Sequence, residues 1–183
     1  GKIEILAKDR KLDDPFVMVG GPCAYNSEPL ADFVDIVILG EGEEVNLEVL
    51  NVYKEWKKNK TTREDFLMMA SKIEGVYIPS FYDVTYNEDK TVKETVPNRE
   101  GIPANPRKRI IKNMDEVPYP EALIVPYIET VHERVVLELF RGCTRGCRFC
   151  QAGMIYRPIR EKSIETLKTS LDKLIKSTGY DEI

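Results

Sequence analysis

Apolar residues follow three different rhythms along the chain. Residues 16–19 (FVMV) and 36–39 (IVIL) are short runs without polar alternation, the pattern of strands buried on both faces of a parallel sheet. Each run ends in glycine, at Gly20-Gly21 and at Gly40. With a short helical piece over 29–33 as the crossover, they predict one βαβ unit. Beyond GEGEE the spacing predicts a helix over 43–58, with Leu47, Leu50 and Tyr53 near one face. Thr61 and Glu64 then have the spacing of a capping box and open a second helix that runs through DFLMMASKI.

The second rhythm is strict alternation. Residues 75–96 (GVYIPSFYDVTYNEDKTVKETV) alternate apolar and polar positions on both sides of the polar turn NEDK, which predicts a two-stranded hairpin exposed on at least one face. From Pro97 to Pro126 six prolines interrupt the pattern, too many for long regular elements, and the stretch reads as a linker laid over the domains. The third rhythm follows. RVVLELF (134–140) is strand-like, and Ile164, Leu167, Leu171, Leu174 and Ile175 form a helical stripe that starts after Ser163 and stops at Gly179. Strand, cysteine-bearing loop and helix come in that order. The fold class is therefore α/β.

Composition narrows the classes. The 183 residues, 42% hydrophobic and 32% charged, can bury one sizeable core or two small ones. No apolar run approaches the roughly 20 residues of a membrane span, and GKIEILAKDRK lacks the apolar region of a signal peptide. A cytoplasmic location and no membrane partner are expected. The net charge of −4 supplies no general attraction to nucleic acid, and the basic runs NPRKRIIK and YRPIREK read as solvated surface.

The chemistry concentrates in ELFRGCTRGCRFCQAG (138–153), which holds three of the four cysteines. Cys143, Cys147 and Cys150 have C-x3-C-x2-C spacing, and a loop of that length can turn three thiolates toward one soft metal centre. A structural zinc wants four ligands and usually takes them as two separated pairs. Only His132 and Cys23 are candidates to complete such a site. A disulfide is the remaining alternative, poorly suited to a cytosolic chain with few cysteines. Iron–sulfur ligation accounts best for the triple spacing, with zinc as the competing reading.

RGCTRGCRFCQAG resembles the cluster loop of radical S-adenosylmethionine (radical SAM) enzymes, including an aromatic residue, Phe149, before the third cysteine. The resemblance implies that Cys143, Cys147 and Cys150 hold three irons of a 4Fe-4S cluster. It implies that the fourth iron binds S-adenosylmethionine, and that Phe149 belongs to the cofactor-binding surface. It further implies reductive cleavage to a 5′-deoxyadenosyl radical acting on an unknown substrate, with electrons from a flavodoxin- or ferredoxin-like one-electron reductant. The strand 134–140 would be the first of the catalytic barrel, with the loop at its C-terminal end.

Upstream, VMVGGPCAYNSEPLADFVDIVILGEGEE is similar to the second half of the cobalamin-binding-like domain that precedes the barrel in one branch of these enzymes. Gly20 and Gly21 match that family's strand-end glycines, where cobalamin's nucleotide tail enters; a tight turn that binds nothing is the competing explanation. The D-x-H-x-x-G stretch that supplies the cobalt ligand is not in this chain, so tight cobalamin binding is not expected. The expectation is an internal piece of such an enzyme. Residues 1–75 form the rear of a Rossmann-like, cobalamin-binding-like domain, 76–130 a hairpin and proline-rich linker, and 131–183 the start of a radical SAM domain. Such a piece would be inactive alone and prone to self-association through uncovered strand edges and helix faces. The alternative is a non-catalytic interaction module held by zinc or a cluster.

The remaining motifs carry less. GEGEE (40–44) lacks the lysine of a phosphate loop and reads as a helix start, where Glu43 and Glu44 suit the dipole. Arg141, Arg145 and Arg148 could steer an anionic ligand or a reductase, or could be solvated or ion-paired. Met68 and Met69 read as core, and no catalytic side chain is singled out.

Overall fold

In a computed structural model of the protein, β1 (Met18–Val19) and β2 (Ile36–Ile38) lie parallel, with Met18 opposite Ile36 and Val19 opposite Val37. This is the pairing expected of the two unalternated apolar runs. The structure describes residues 3–59, 61–128 and 130–183, and the chain forms two units, Gly1–Ile110 and Ile111–Ile183. It is a mixed α/β protein with small sheets. No described helix is long and apolar enough to cross a membrane.

In the first unit all three β2 residues are buried, and α1 (Gly42–Asn59) and α2 (Arg63–Ala70) pack with the sheet in one core. The buried face of α1 is Val45, Val49 and Trp56; Leu47 and Leu50 are exposed, so the expected face is corrected. Apolar residues run more than halfway round this helix, and the aromatic cluster decides which side turns inward. Trp56 packs with Phe16, Tyr53 and Phe66 at ring separations of 5.5–5.6 Å and donates its indole N–H to the Thr62 carbonyl at 2.8 Å.

The α2 cap is also displaced by one residue. Thr62 is the N-cap and Asp65 its reciprocal partner, not Thr61 with Glu64. The Thr62 backbone is extended while its hydroxyl accepts from the Asp65 N–H, and the Asp65 carboxylate accepts from the Thr62 N–H at 2.9 Å.

The alternating segment divides. Val76–Tyr77 forms β3, antiparallel to β2, with Val37 opposite Tyr77 and Ile38 opposite Val76. It was expected in the hairpin. Pro79, at the head of a 3-10 turn (Pro79–Phe81), breaks the run and leaves the hairpin to β4 (Tyr82–Tyr86) and β5 (Val92–Pro97). Their turn closes through Asn87 N–H to the Thr91 carbonyl at 2.9 Å, with Lys90 at a φ of 67°. Most hairpin residues are exposed, as the alternation implied.

A buried charge cluster ties the start of the unit together. Asp35 accepts from Arg10 at 2.6 Å, from Arg63 at 2.9 Å and from the Val17 N–H at 2.7 Å, and the Arg10 and Asp35 side chains are each 3% exposed. Arg10 also donates to the carbonyls of Glu4, Ile5 and Phe33. Three separated segments meet at one carboxylate.

Nor is the first basic run wholly solvated. Arg109 bridges Gly40, donating its N–H to the Leu39 carbonyl at 2.8 Å while its carbonyl accepts from Glu41 at 3.1 Å. Its guanidinium clamps Glu44 and Glu48 of α1, each at 2.6 Å. Gly40 has a φ of 105°, and a Cβ there would lie 2.1 Å from the Arg109 carbonyl oxygen. Only glycine admits this approach.

In the second unit, Ile111, Met114 and Val117 form a small core, and Val135 and Leu174 are buried. Helix-forming residues 152–155 and 164–178 give α3 (Ala152–Ile155) and α4 (Ile164–Thr178); β6 (Phe140–Arg141) and β7 (Arg160–Glu161) pair antiparallel. Helix α4 has the expected ends. Ser163 caps it by accepting from the Thr166 N–H, and Gly179 ends it in the left-handed region. Among the described residues the expected strand 134–140 is reduced to its last residue and Arg141. A strand is defined by its ladder, and the backbone bonds described for the segment before Phe140 are two isolated ones, from the Val135 N–H to the Glu182 carbonyl at 2.9 Å and from the Lys162 N–H to the Leu139 carbonyl at 3.0 Å, too far apart along the chain to extend one.

Candidate metal centre

The cysteine loop starts where the β6–β7 ladder ends. Phe140 faces Glu161 and Arg141 faces Arg160, and the Lys162 N–H donates to the Leu139 carbonyl at 3.0 Å, so both ends of the stretch from 142 to 159 are held together. Gly142, at a φ of 108°, passes so close to the returning chain that a Cβ would stand 2.6 Å from the Pro158 carbonyl oxygen. This glycine is a condition of the loop's closure. Gly146 takes a second left-handed turn at 65°. The Cys150 N–H then bonds the Cys147 carbonyl at 3.1 Å, and α3 follows at once.

Below the loop entrance lies a charged network that the sequence did not announce. Arg141 makes a two-pronged contact with Glu138 at 2.7 and 3.1 Å, which assigns it an ion-paired role. The Lys162 side chain, 1% exposed, lies 3.8 Å from the same carboxylate and 4.4 Å over the Tyr119 ring. Arg160 donates to the Ile111 carbonyl at 2.8 Å and Arg157 to the Cys143 carbonyl at 3.4 Å. The run YRPIREK is therefore part of the loop's frame rather than simple solvated surface. Its proximity to the cysteine motif was the available signal.

A second tie joins the turn Met114–Glu116 to α4. The Asp115 carboxylate accepts from the Ser163 N–H at 2.8 Å, and that bond, with smaller help from Thr166, Ser163 and Lys162, holds its carboxyl below the usual carboxylate range.

Cys143 is half-buried, Cys147 and Cys150 are exposed, and all three are free thiols, as is exposed Cys23. Phe149 is 93% exposed. Among the described residues no three His, Cys, Asp or Glu side chains are gathered in a metal-holding arrangement. The donor set fits a three-thiolate centre in type, number and access, although the three thiols are not gathered at one point here. Arg145 and Arg148 are exposed. Exposed His132 accepts from Arg134 at Nδ1, 3.1 Å away.

Gly20 and Gly21 belong to the first unit, immediately after β1. A Cβ at Gly20 would touch Ile38 at 3.5 Å, whereas Gly21 has open space and a φ of 96° that starts the 3-10 turn Pro22–Asn26. The turn by itself favours a glycine at Gly21.

Residues 1–79 match the family described as radical SAM proteins, N-terminal. That match supports a radical SAM family for the protein, and it lies wholly outside the cysteine loop. The chain is also 29% identical over 183 residues to an uncharacterized protein of Methanocaldococcus jannaschii, covering 97% of this chain and 33% of the other. It therefore spans about a third of the length of that curated relative. No solved structure matches it.

Proposed function

We propose that the protein supplies the N-terminal region and the cluster loop of a radical SAM enzyme, in which Cys143, Cys147 and Cys150 hold a 4Fe-4S cluster. The observation that carries this reading is the C-x3-C-x2-C spacing of three free thiols on one loop closed at its base. The family match over residues 1–79 supports it from a separate part of the chain. When bound, such a cluster supplies one low-potential electron to the sulfonium of S-adenosylmethionine chelated at its open iron.

The chain's own residues have distinct parts in this. The thiolates fix the cluster, Gly142 lets the loop leave β6 against the returning strand, and exposed Phe149 offers an aromatic face beside the third ligand. In this reading residues 131–183 are the first β/α unit of a radical SAM barrel. The Val135–Glu182 bond supports that view, because it sets the chain before the loop beside the chain after α4, as two neighbouring strands would lie. Residues 1–75 would be a Rossmann-like, cobalamin-binding-like domain and 76–130 the hairpin and linker. Cobalamin stays a candidate cofactor of the longer protein, while this chain, which carries no D-x-H-x-x-G stretch, would not hold it tightly by itself. The enzyme would work in the cytoplasm on electrons from a flavodoxin- or ferredoxin-like protein.

The test is electron paramagnetic resonance of the anaerobically loaded, reduced protein. Adding S-adenosylmethionine should change the cluster spectrum, because the cofactor ligates the open iron. A loaded cluster whose spectrum ignores the cofactor would refute the reading.

A further inference from the structure

The Arg157 side chain is seated against the cysteine loop at several points. Its Nε donates to the Cys143 carbonyl at 3.4 Å. Its Nη2 stands 3.8 Å from where a Cβ would project at Gly146 and 3.9 Å from the equivalent point at Gly153, and Nη1 lies 3.9 Å from the Met154 sulfur. One planar group thus touches the first ligand's backbone, the turn between the first and second ligands, and the helix that follows the third. Two of these points are glycines, where a Cβ would stand in ordinary van der Waals contact with the guanidinium.

We propose that Arg157 is the positioning residue of the cysteine loop, holding its two limbs in register and placing a positive charge on the loop that carries the three thiolates. The inference rests on the cluster reading and adds a residue outside the cysteine motif to it. A loop bearing three thiolates repels itself, and a cluster on three thiolates carries net negative charge. A cation bonded to the first ligand's own backbone carbonyl offsets both. Hydrogen bonding to a ligand's backbone fixes the loop as outer-shell partners fix metal ligands elsewhere. Arginine suits the task better than lysine because its planar fork reaches several acceptors at once.

The experiment uses the full chain loaded with iron and sulfide under anaerobic conditions, and compares the native protein with Arg157→Ala, Arg157→Lys and Arg145→Ala. Circular dichroism of each metal-free variant checks the fold. Competition with an iron chelator should show a loss of roughly 10- to 100-fold in iron affinity for Arg157→Ala, the range seen for outer-shell partners of metal sites. Its midpoint potential should move to a more negative value, because a positive charge has left the cluster's surroundings. Arg157→Lys should keep the native midpoint while recovering only part of the affinity, and Arg145→Ala should behave as native. If Arg157→Ala retains iron and midpoint unchanged, or if Arg145→Ala loses as much, the role assigned to Arg157 is wrong while the cluster stands. Failure of the native protein to take up iron would instead remove the cluster reading and this inference with it.

Discussion

Replacing Asp35 by Asn should destabilise the first unit more than any surface charge change. Asp35 is 3% exposed and is the common counter-charge for Arg10 at 2.6 Å and Arg63 at 2.9 Å, besides accepting from the Val17 N–H. Asparagine keeps the shape but turns one oxygen into an N–H donor, so a guanidinium or the Val17 amide then meets a donor, and Arg10 keeps its charge in a site 3% exposed. Breaking a buried pair from one side costs about 3–5 kcal/mol. Domains are stable by about 5–15 kcal/mol, so this removes a large share. The exposed Arg99–Glu64 pair, at 2.9 Å with side chains 43% and 58% exposed, is the internal control. Its loss through Arg99→Gln should cost about 1 kcal/mol or less. Urea unfolding followed by Trp56 fluorescence reads both, since that indole sits in the same core. With a urea slope of about 1–3 kcal/mol/M, the Asp35→Asn midpoint should fall by on the order of 2 M. A fall no larger than that of Arg99→Gln would show that the charge cluster is not what joins these segments.

The remaining predictions concern close contacts and pH. Gly40→Ala should cost about 3 kcal/mol or more by thermal unfolding, because it combines a φ of 105° with a Cβ 2.1 Å from a backbone oxygen. Arg109→Ala should cost less, about 1 kcal/mol, since its partners Glu44 and Glu48 are half exposed and return to water. Asp65 and Asp115 titrate below the usual carboxylate range, chiefly through the backbone N–H groups of Thr62 and Ser163. Their contribution is fully present above the unfolded aspartate pKa of about 3.9 and is lost as pH falls through their lower folded values. Carboxyl NMR should show both late in an acid titration, and Thr62→Ala, which removes the hydroxyl but keeps the backbone N–H, should raise Asp65 only part of the way back. Unchanged Asp65 titration in that variant would contradict the capping box.

Local signals were legible in the sequence where a residue type has one physical use. Ser163 and Gly179 bound α4 because an N-cap hydroxyl and a left-handed glycine act on the backbone next to them. The parallel pairing of β1 with β2 followed from two runs that lack polar alternation. Where the outcome depended on distant partners, the pattern was ambiguous. Val45, Val49 and Trp56 rather than Leu47 and Leu50 face inward because Phe16 and Phe66, from other segments, fix the orientation of α1. Asp35 at the edge of an apolar run and Arg109 in a basic one gave no hint of their partners, which lie 25 and 65 residues away. At the candidate site the sequence spacing singles out the three cysteines, whose role as ligands is proposed. The Glu138, Lys162 and Arg157 contacts needed the fold, since only the β6–β7 ladder brings residues 157–162 beside residues 138–143.

The central claim is that three thiolates of one loop assemble an iron–sulfur cluster, and counting metal tests it most directly. After anaerobic loading and desalting, iron and acid-labile sulfide should each approach four per chain, as for a 4Fe-4S centre. Cys143→Ala, Cys147→Ala and Cys150→Ala should each abolish this, while Cys23→Ala leaves it intact. Tightly held zinc at one per chain with no iron taken up, or iron retained when any of the three loop cysteines is removed, would contradict the account.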